Sequence, residues 1–157
     1  MYCCLRIQPG LIALVALLGF SEGCGGSHFR QDLPLTVPVS GLVTLNGKPL
    51  ASASVTFYPK DGTAGIESAG STDESGHYQL QQTRGELGTP VGEYSVTISH
   101  YVGPDGKSIV MTKDSPPPAD LGAVESLPEK YSSLQSTTLR ATVPAGGDTI
   151  NFDLKIK

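Results

Sequence analysis

The sequence predicts an all-β domain, an antiparallel sandwich of seven strands in two sheets, behind an N-terminal segment of different character. Apolar and polar residues alternate in several stretches, which is the pattern of strands buried on one face. The chain of 157 residues contains 19 Gly and 12 Pro, and only 17% of its residues are charged. This composition favours short strands and tight turns over long surface helices, and the length allows one ordinary domain.

The N-terminal segment, residues 1–23, has the composition of a secretory signal peptide. Arg6 is the only charged side chain among the first ten residues, and residues 11–20 form an unbroken apolar run that ends at Ser21. This run is too short to cross a membrane as a helix, which takes roughly 20 apolar residues. A buried core helix is the alternative, but Gly and Ser surround the end of the run and no partner helix is predicted downstream.

The end of the apolar run resembles a bacterial lipobox, in which a small residue precedes a cysteine that receives a diacylglycerol group. Gly23 and Cys24 match that pattern, whereas Ser21 and Glu22 depart from it. The resemblance implies that Cys24 is lipidated and becomes the first residue of the mature chain.

The other cysteines agree with this interpretation. Cys3 and Cys4 fall inside the predicted signal peptide, so Cys24 is the only cysteine of the predicted mature chain. A single cysteine in an exported protein is a free thiol, an intermolecular bridge or a modified residue, and its position directly behind the apolar run favours lipid. Residues 24–35 are then a lipidated N-terminus and flexible tether, and the protein is expected on the cell membrane or outer membrane, facing the periplasm or the exterior.

The domain is predicted to span residues 36–157 and to contain seven strands separated by turn-forming sequences. Asn46-Gly47 is a strong hairpin signal, and 73–76 and 103–106 are further turns rich in Asp and Gly. A short return strand is expected at 107–111 after the last of these turns, whereas 112–127, with three consecutive prolines, is predicted to be a long connection. The seven predicted strands are 37–45, 53–58, 66–72, 77–82, 93–100, 138–143 and 149–156.

Three stretches of this domain resemble a known family. VSGLVTLNGKPLASASVTFYP (39–59), STDESGHYQL (71–80) and GTPVGEYSVTI (88–98) are similar to the carboxypeptidase regulatory-like domain, a transthyretin-like (prealbumin-like), immunoglobulin-like sandwich. Together with the C-terminal stretches LPEKYSS (127–133) and TTLRATVPAGGDTINFDL (137–154), the whole chain resembles small planctomycete-type bacterial lipoproteins that carry this domain. The resemblance implies an exported, non-catalytic accessory or envelope domain, and it carries no ligand and no functional residues to this sequence.

The histidines and tyrosines do not predict a metal site. Intradiol dioxygenases bind iron through two His and two Tyr on a related sandwich, and His77, His100, Tyr101 and Tyr131 are the residues of those types to consider. Strand alternation places His77 and His100 on opposite faces, and no spacing typical of metal ligands supports convergence. We therefore expect a surface histidine at position 77 and a rim histidine at position 100.

No catalytic residues and no cofactor are predicted. The sequence has no Gly-x-Ser-x-Gly motif, and the acidic residues Asp61, Glu67, Asp73 and Glu74 lack EF-hand spacing, so turn capping is expected of them. The segment 127–131 (LPEKY) is predicted to dock on the sandwich, although contact with a partner is the alternative.

The predicted function is a membrane-anchored, non-catalytic structural or interaction module of the cell envelope. Its partners are the membrane, through the lipid, and an envelope protein or carbohydrate. Nucleic acid is not expected, because the 11 basic residues are scattered and the net charge is −4. The alternatives are a ligand- or carbohydrate-binding accessory protein, or a small enzyme whose site is built by loops 63–70 and 112–127.

Overall fold

Strands dominate the computed structural model of the chain, which describes residues 34–112 and 114–156. Helix is limited to one four-residue α-helix and one 3-10 turn in this part of the chain, so the predicted all-β class is confirmed. The predicted signal peptide, Cys24 and nearly all of the predicted tether lie outside the described residues. The strands are β1 Thr36–Val37, β2 Val39–Leu45, β3 Lys48–Pro49, β4 Ser54–Pro59, β5 Ser68–Ser71, β6 His77–Gln79, β7 Gln81–Gln82, β8 Thr89–Pro90, β9 Gly92–Ser99, β10 Tyr101–Val102, β11 Ser108–Ile109, β12 Val124–Glu125, β13 Arg140–Val143, β14 Asp148–Thr149 and β15 Phe152–Leu154; the 3-10 turn is Pro118–Leu121 and α1 is Glu129–Ser132.

The first of the two large sheets has five antiparallel strands in the order β13-β9-β4-β5-β7. Its two central strands carry the alternation that the sequence shows. Val55 pairs with Ile98 and Phe57 with Val96, and all four side chains are fully buried. The intervening side chains, such as Thr56, lie on the opposite face of the sheet.

The second large sheet is built around β2, and it is mixed. Strands β3 and β6 pair with β2 antiparallel, whereas β14 and β15 pair with it parallel. The prediction of a purely antiparallel sandwich is therefore wrong for the end of the chain. The alternation over 149–156 shows that a strand is half-buried but carries no information on its direction, which is set here by the turn after β13. Gly147 in that turn has φ 77°, and a Cβ there would lie 2.2 Å from the Pro38 carbonyl oxygen.

The core lies between the two large sheets and is centred on aromatic residues. The ring of Phe57 in the first sheet lies 6.2 Å from that of Phe152 in the second and 5.6 Å from that of Tyr94. The rings of Tyr78 and Phe152 stack at 6.4 Å. Leu80 joins β6 of the second sheet to β7 of the first and is itself fully buried. The chain therefore changes sheets at an apolar residue, as a sandwich-like core requires.

The strands are more numerous and shorter than the seven predicted. Pro38 has no N–H and separates β1 from β2, and β1 pairs instead with β8 as a two-stranded ribbon. A three-stranded sheet, β11-β10-β12, lies beyond the end of β9. Its strand β11 confirms the return strand expected after the 103–106 turn. Its strand β12 and the 3-10 turn lie inside 112–127, so that connection is more ordered than predicted.

Candidate functional site

An open groove of about 590 Å³ lies on the outer face of the first sheet, beside β5 and β7. Its floor is formed by strand residues with small side chains, one wall by the turn after β7, and the other wall by the residues that follow β11. The lining residues are Ser54, Ala69, Gly70, Ser71, Gln81, Gln82, Thr83, Arg84, Gly85, Met111 and Thr112.

The floor of the groove is low because small residues meet there. Ser54 of β4 is directly opposite Ser71 of β5 in the antiparallel register. Between Ala69 and Ser71 lies Gly70, where a Cβ on the inner side would be 2.2 Å from the Gln79 carbonyl oxygen. Only glycine lets the chain pass this close beneath β5, and larger residues at the serine positions would fill the depression.

The turn that forms the first wall is fixed by three hydrogen bonds. The N–H of Gly85 donates to the carbonyl oxygen of Gln82 at 2.8 Å, and the N–H of Gln82 donates to that of Glu86 at 2.8 Å. The side-chain Nε2 of Gln81 donates to the carbonyl oxygen of Gly85 at 2.9 Å. Gly85 has φ 97°, a left-handed conformation that favours glycine. Arg84 is thereby held at the tip of the turn, next to the groove.

Among the described lining residues, Arg84 is the only one with a charged side chain. Among the described residues, no carboxylate oxygen lies within 4.0 Å of its guanidinium; the three ion pairs there join Lys60 to Glu93, Lys107 to Asp105 and Lys155 to Asp153. The groove is thus a set of neutral hydrogen-bonding groups with one uncompensated positive charge. Such a site suits a polar ligand with an anionic group.

The groove corresponds only in part to the site expected from loops 63–70 and 112–127. Ala69 and Gly70 come from the end of the first range and Thr112 from the start of the second. The turn 83–85, which carries the charged group, was missed because the predicted strand 77–82 ends just before it and no role was predicted for the residues that follow. The signal available was the run QQTRG at 81–85, in which a cation precedes a turn-forming glycine.

His100 forms a second polar cluster, beside the three-stranded sheet. Its Nε2 lies 2.8 Å from the Ser108 hydroxyl oxygen and its Nδ1 lies 2.6 Å from that of Ser126. The Ser126 hydroxyl also donates to the carbonyl oxygen of His100 at 2.9 Å. Because that donation uses the only hydroxyl proton of Ser126, Nδ1 carries the ring proton and Nε2 accepts from Ser108.

The surroundings of His100 favour the neutral ring. Burial lowers the pKa of His100 below its usual 6.5, an effect that Glu125 partly opposes. Glu125 does not bond the ring; its Oε1 accepts from the backbone N–H groups of His100 and Leu127, both at 2.9 Å, while its Oε2 is buried without a hydrogen-bond partner in the described residues. The cluster fastens β11 and the residues after β12 to the end of β9, so His100 is a structural tie and not the simple rim residue expected.

The other predicted residues take structural positions. His77 is exposed, and Asp73 Oδ1 accepts from the N–H groups of Ser75 and His77 at 2.8 and 2.9 Å, which confirms turn capping by this aspartate. Tyr131 is buried with its hydroxyl 3.1 Å from the backbone oxygen of Lys155. In residues 34–112 and 114–156, no three His, Cys, Asp or Glu side chains are grouped so as to hold a metal ion.

The segment 127–131 docks on the domain, as predicted. The side chains of Leu127 and Tyr131 are buried in the main hydrophobic core. The N–H of Lys155, just beyond β15, donates to the Tyr131 hydroxyl at 3.1 Å. The long connection is therefore anchored at its C-terminal end to both large sheets.

Comparisons with protein families, curated proteins and solved structures find no match to this chain. No helix within the described ranges has the length and apolar character needed to span a bilayer.

Proposed function

We propose that the chain is a lipid-anchored cell-envelope protein, exported by residues 1–23 and acylated at Cys24. Its domain 36–157 is a transthyretin-like sandwich, of the carboxypeptidase regulatory-like kind, that serves as a non-catalytic structural or interaction module. The observation that carries the proposal is the position of Cys24, which follows the ten-residue apolar run 11–20 after Ser21, Glu22 and Gly23 and precedes β1.

The domain supports this proposal at the end where the chain enters it. Leu35, the residue before β1, is 90% exposed, and Val91, which follows β8, is 46% exposed. Because β1 and β8 pair antiparallel, with Thr36 opposite Pro90, these two apolar residues lie at the same end of the ribbon. A domain held close to a bilayer by Cys24 would present that apolar end to the lipid surface first.

The fold supports the proposal that the domain is a transthyretin-like sandwich. Two large sheets enclose one aromatic core, and the motifs quoted above occupy its central strands. Strand β2 and its hairpin with β3 hold the NGKPL motif, while β9 holds GEYSVTI. The groove lies on the outer face of the first sheet, and the His100 cluster lies at the end of β9, so both are outside this core.

Metabolic labelling with an alkyne analogue of palmitate tests the anchor. We expect the wild-type chain and Cys3→Ala, the matched control, to be labelled and to fractionate with membranes, whereas Cys24→Ala is unlabelled. The mass of the membrane-fraction protein should correspond to a chain that begins at lipidated Cys24. An unmodified chain that starts at Met1, or equal labelling of Cys24→Ala, would refute the proposal.

The groove favours a second candidate function, that of a ligand-binding accessory protein. Its volume of about 590 Å³ falls in the range of small-ligand sites, and its polar groups converge from four separate parts of the chain. This candidate function is compatible with the lipid anchor, because a tethered domain can bind a ligand on the outer face of its first sheet.

A further inference from the structure

We propose that the groove binds an acidic oligosaccharide, with Arg84 pairing with a uronic-acid carboxylate and the neighbouring hydroxyl and amide groups bonding to sugar hydroxyls. The inference rests on the ligand-binding candidate function and is independent of the lipid anchor. It follows from the chemistry of the lining, in which neutral hydrogen-bonding side chains accompany the positive charge of Arg84.

Most of the described lining residues carry a neutral hydrogen-bonding group, set among apolar surface of the groove. Ser54, Ser71 and Thr83 offer hydroxyls, each of which donates once and accepts twice. The Thr112 hydroxyl also lines the groove and is already hydrogen-bonded to the Ser115 hydroxyl at 3.1 Å. The Gln81 amide keeps its oxygen free to accept, because the hydrogen bond to the Gly85 carbonyl uses the nitrogen. A ligand that satisfies these groups must itself carry many neutral donors and acceptors, which is the property of a sugar.

The positive charge of Arg84 is the reason to expect an anionic ligand. The Arg84 guanidinium has five donors in a fixed fork that matches a carboxylate. None of the lining residues that the structure describes is acidic, although the net charge of the whole chain is −4. A carboxylate bound here therefore gains an ion pair without displacing an internal one, and no acidic side chain of the groove opposes it.

The same chemistry argues against an acidic peptide. A peptide with consecutive carboxylates requires several cations, and the described lining residues supply one, Arg84. Peptides are also anchored by apolar pockets, whereas Met111 is the only large apolar side chain of the lining. Isolated carboxylates separated by hydroxyl-rich rings fit the groove better.

Titration of the ¹⁵N-labelled full chain in detergent micelles, followed by NMR, tests the inference. The probes are trigalacturonate, the neutral trisaccharide galactotriose, and triglutamate. We expect trigalacturonate to cause saturable shifts confined to the amides of 54, 69–71, 81–85 and 111–112, and to bind at least about tenfold more tightly than either other probe, since a charge-assisted hydrogen bond is lost with the neutral sugar.

Two substitutions test whether binding depends on the positive charge of Arg84 and not on positive charge elsewhere on the domain. Arg84→Gln is expected to weaken trigalacturonate binding by about tenfold or more, whereas Lys107→Gln removes an exposed positive charge outside the groove and should leave the affinity unchanged. Added NaCl should weaken binding to the wild type and have little effect on Arg84→Gln. Unchanged core amide shifts verify that both variants are folded.

Several results would overturn the inference. Equal affinity for trigalacturonate and galactotriose at the groove rejects the acidic class but leaves a ligand-binding function in place. Tighter binding of triglutamate assigns the groove to acidic peptides instead. The absence of groove shifts with all three probes at about 10 mM, far weaker than a functional affinity, rejects both the inference and the ligand-binding candidate.

Discussion

Gly41→Ala tests the parallel pairing at the end of the chain. Gly41 lies in the middle of β2, and a Cβ at this position would be 1.8 Å from the Ile150 carbonyl oxygen and 2.9 Å from Cε1 of Tyr78. Ile150 lies between β14 and β15, and its own N–H donates to the carbonyl oxygen of Ser40 at 2.8 Å. The substitution is therefore predicted to push the terminal strands away from β2.

The expected loss of stability follows from what the methyl group displaces. The Ile150 oxygen must move by about 1.5 Å to reach an ordinary contact of roughly 3.4 Å. That movement breaks the hydrogen bond from the Tyr78 hydroxyl, 2.7 Å long, and the one from Ile150 to Ser40. Each contributes about 1 kcal/mol, and overpacking of a tight core costs a further 1–3 kcal/mol or so. We expect the free energy of unfolding to fall by about 3–5 kcal/mol.

Urea denaturation monitored by circular dichroism measures this loss. Gly146→Ala is the matched control, because no atom lies within 4 Å of the Cβ that would be added there and its φ is not in the left-handed region. The control is expected to stay within about 0.5 kcal/mol of wild type. If Gly41→Ala also unfolded within that margin, the close approach of Ile150 to β2, and with it the parallel arrangement, would be wrong.

Other substitutions probe the hydrogen bonds of the domain. Tyr78→Phe removes only the hydroxyl bond to Ile150 and should destabilise the fold by about 1 kcal/mol in the same urea assay; an unchanged midpoint would contradict that bond. Thr72→Val leaves two buried backbone groups, 2.6 and 2.8 Å from the Thr72 hydroxyl, without a partner, and we expect a loss of about 2 kcal/mol. The pKa of His100 in the folded chain is below 6.5, so the unfolded chain takes up a proton first as the pH falls. The contribution of His100 to the free energy of unfolding is therefore fully present above about pH 6.5 and is lost as the pH falls through the lower folded-state pKa. His100→Gln should flatten this dependence between about pH 7 and 5 while His77→Gln retains it, and parallel curves for wild type and His100→Gln would reject the neutral ring.

The sequence predicted strands well and their pairing partners less well. Alternation in β9 identifies Tyr94, Val96 and Ile98 as core residues, and all three are fully buried. Alternation reports which face of a strand is covered, which is why these positions were found. It does not report which strand lies beside it, so the parallel pairing of β15 with β2 was missed.

The groove was harder to predict because its residues are far apart in sequence and individually ordinary. Ser54 and Ser71 follow the usual rule that outward-facing strand positions are polar, and Arg84 stands in an exposed turn. Only the folded chain shows that these positions face the same depression. By contrast, the docking of Tyr131 was predictable, since a large aromatic residue at the end of a polar connection has few other places to be buried.

The groove is a consequence of the point where the chain changes sheets. Leu80 must be buried between the sheets, so β6 ends one residue before it and β7 begins one residue after it. Strand β7 is consequently only two residues long and pairs with β5 only at Ser68 and Ala69. Gly70 and Ser71 pair with β4 on one side but have no paired strand on the β7 side, and the turn that carries Arg84 lies beside this gap. The burial of Leu80 between the sheets thus determines both the short length of the edge strand β7 and the position of Arg84 next to it.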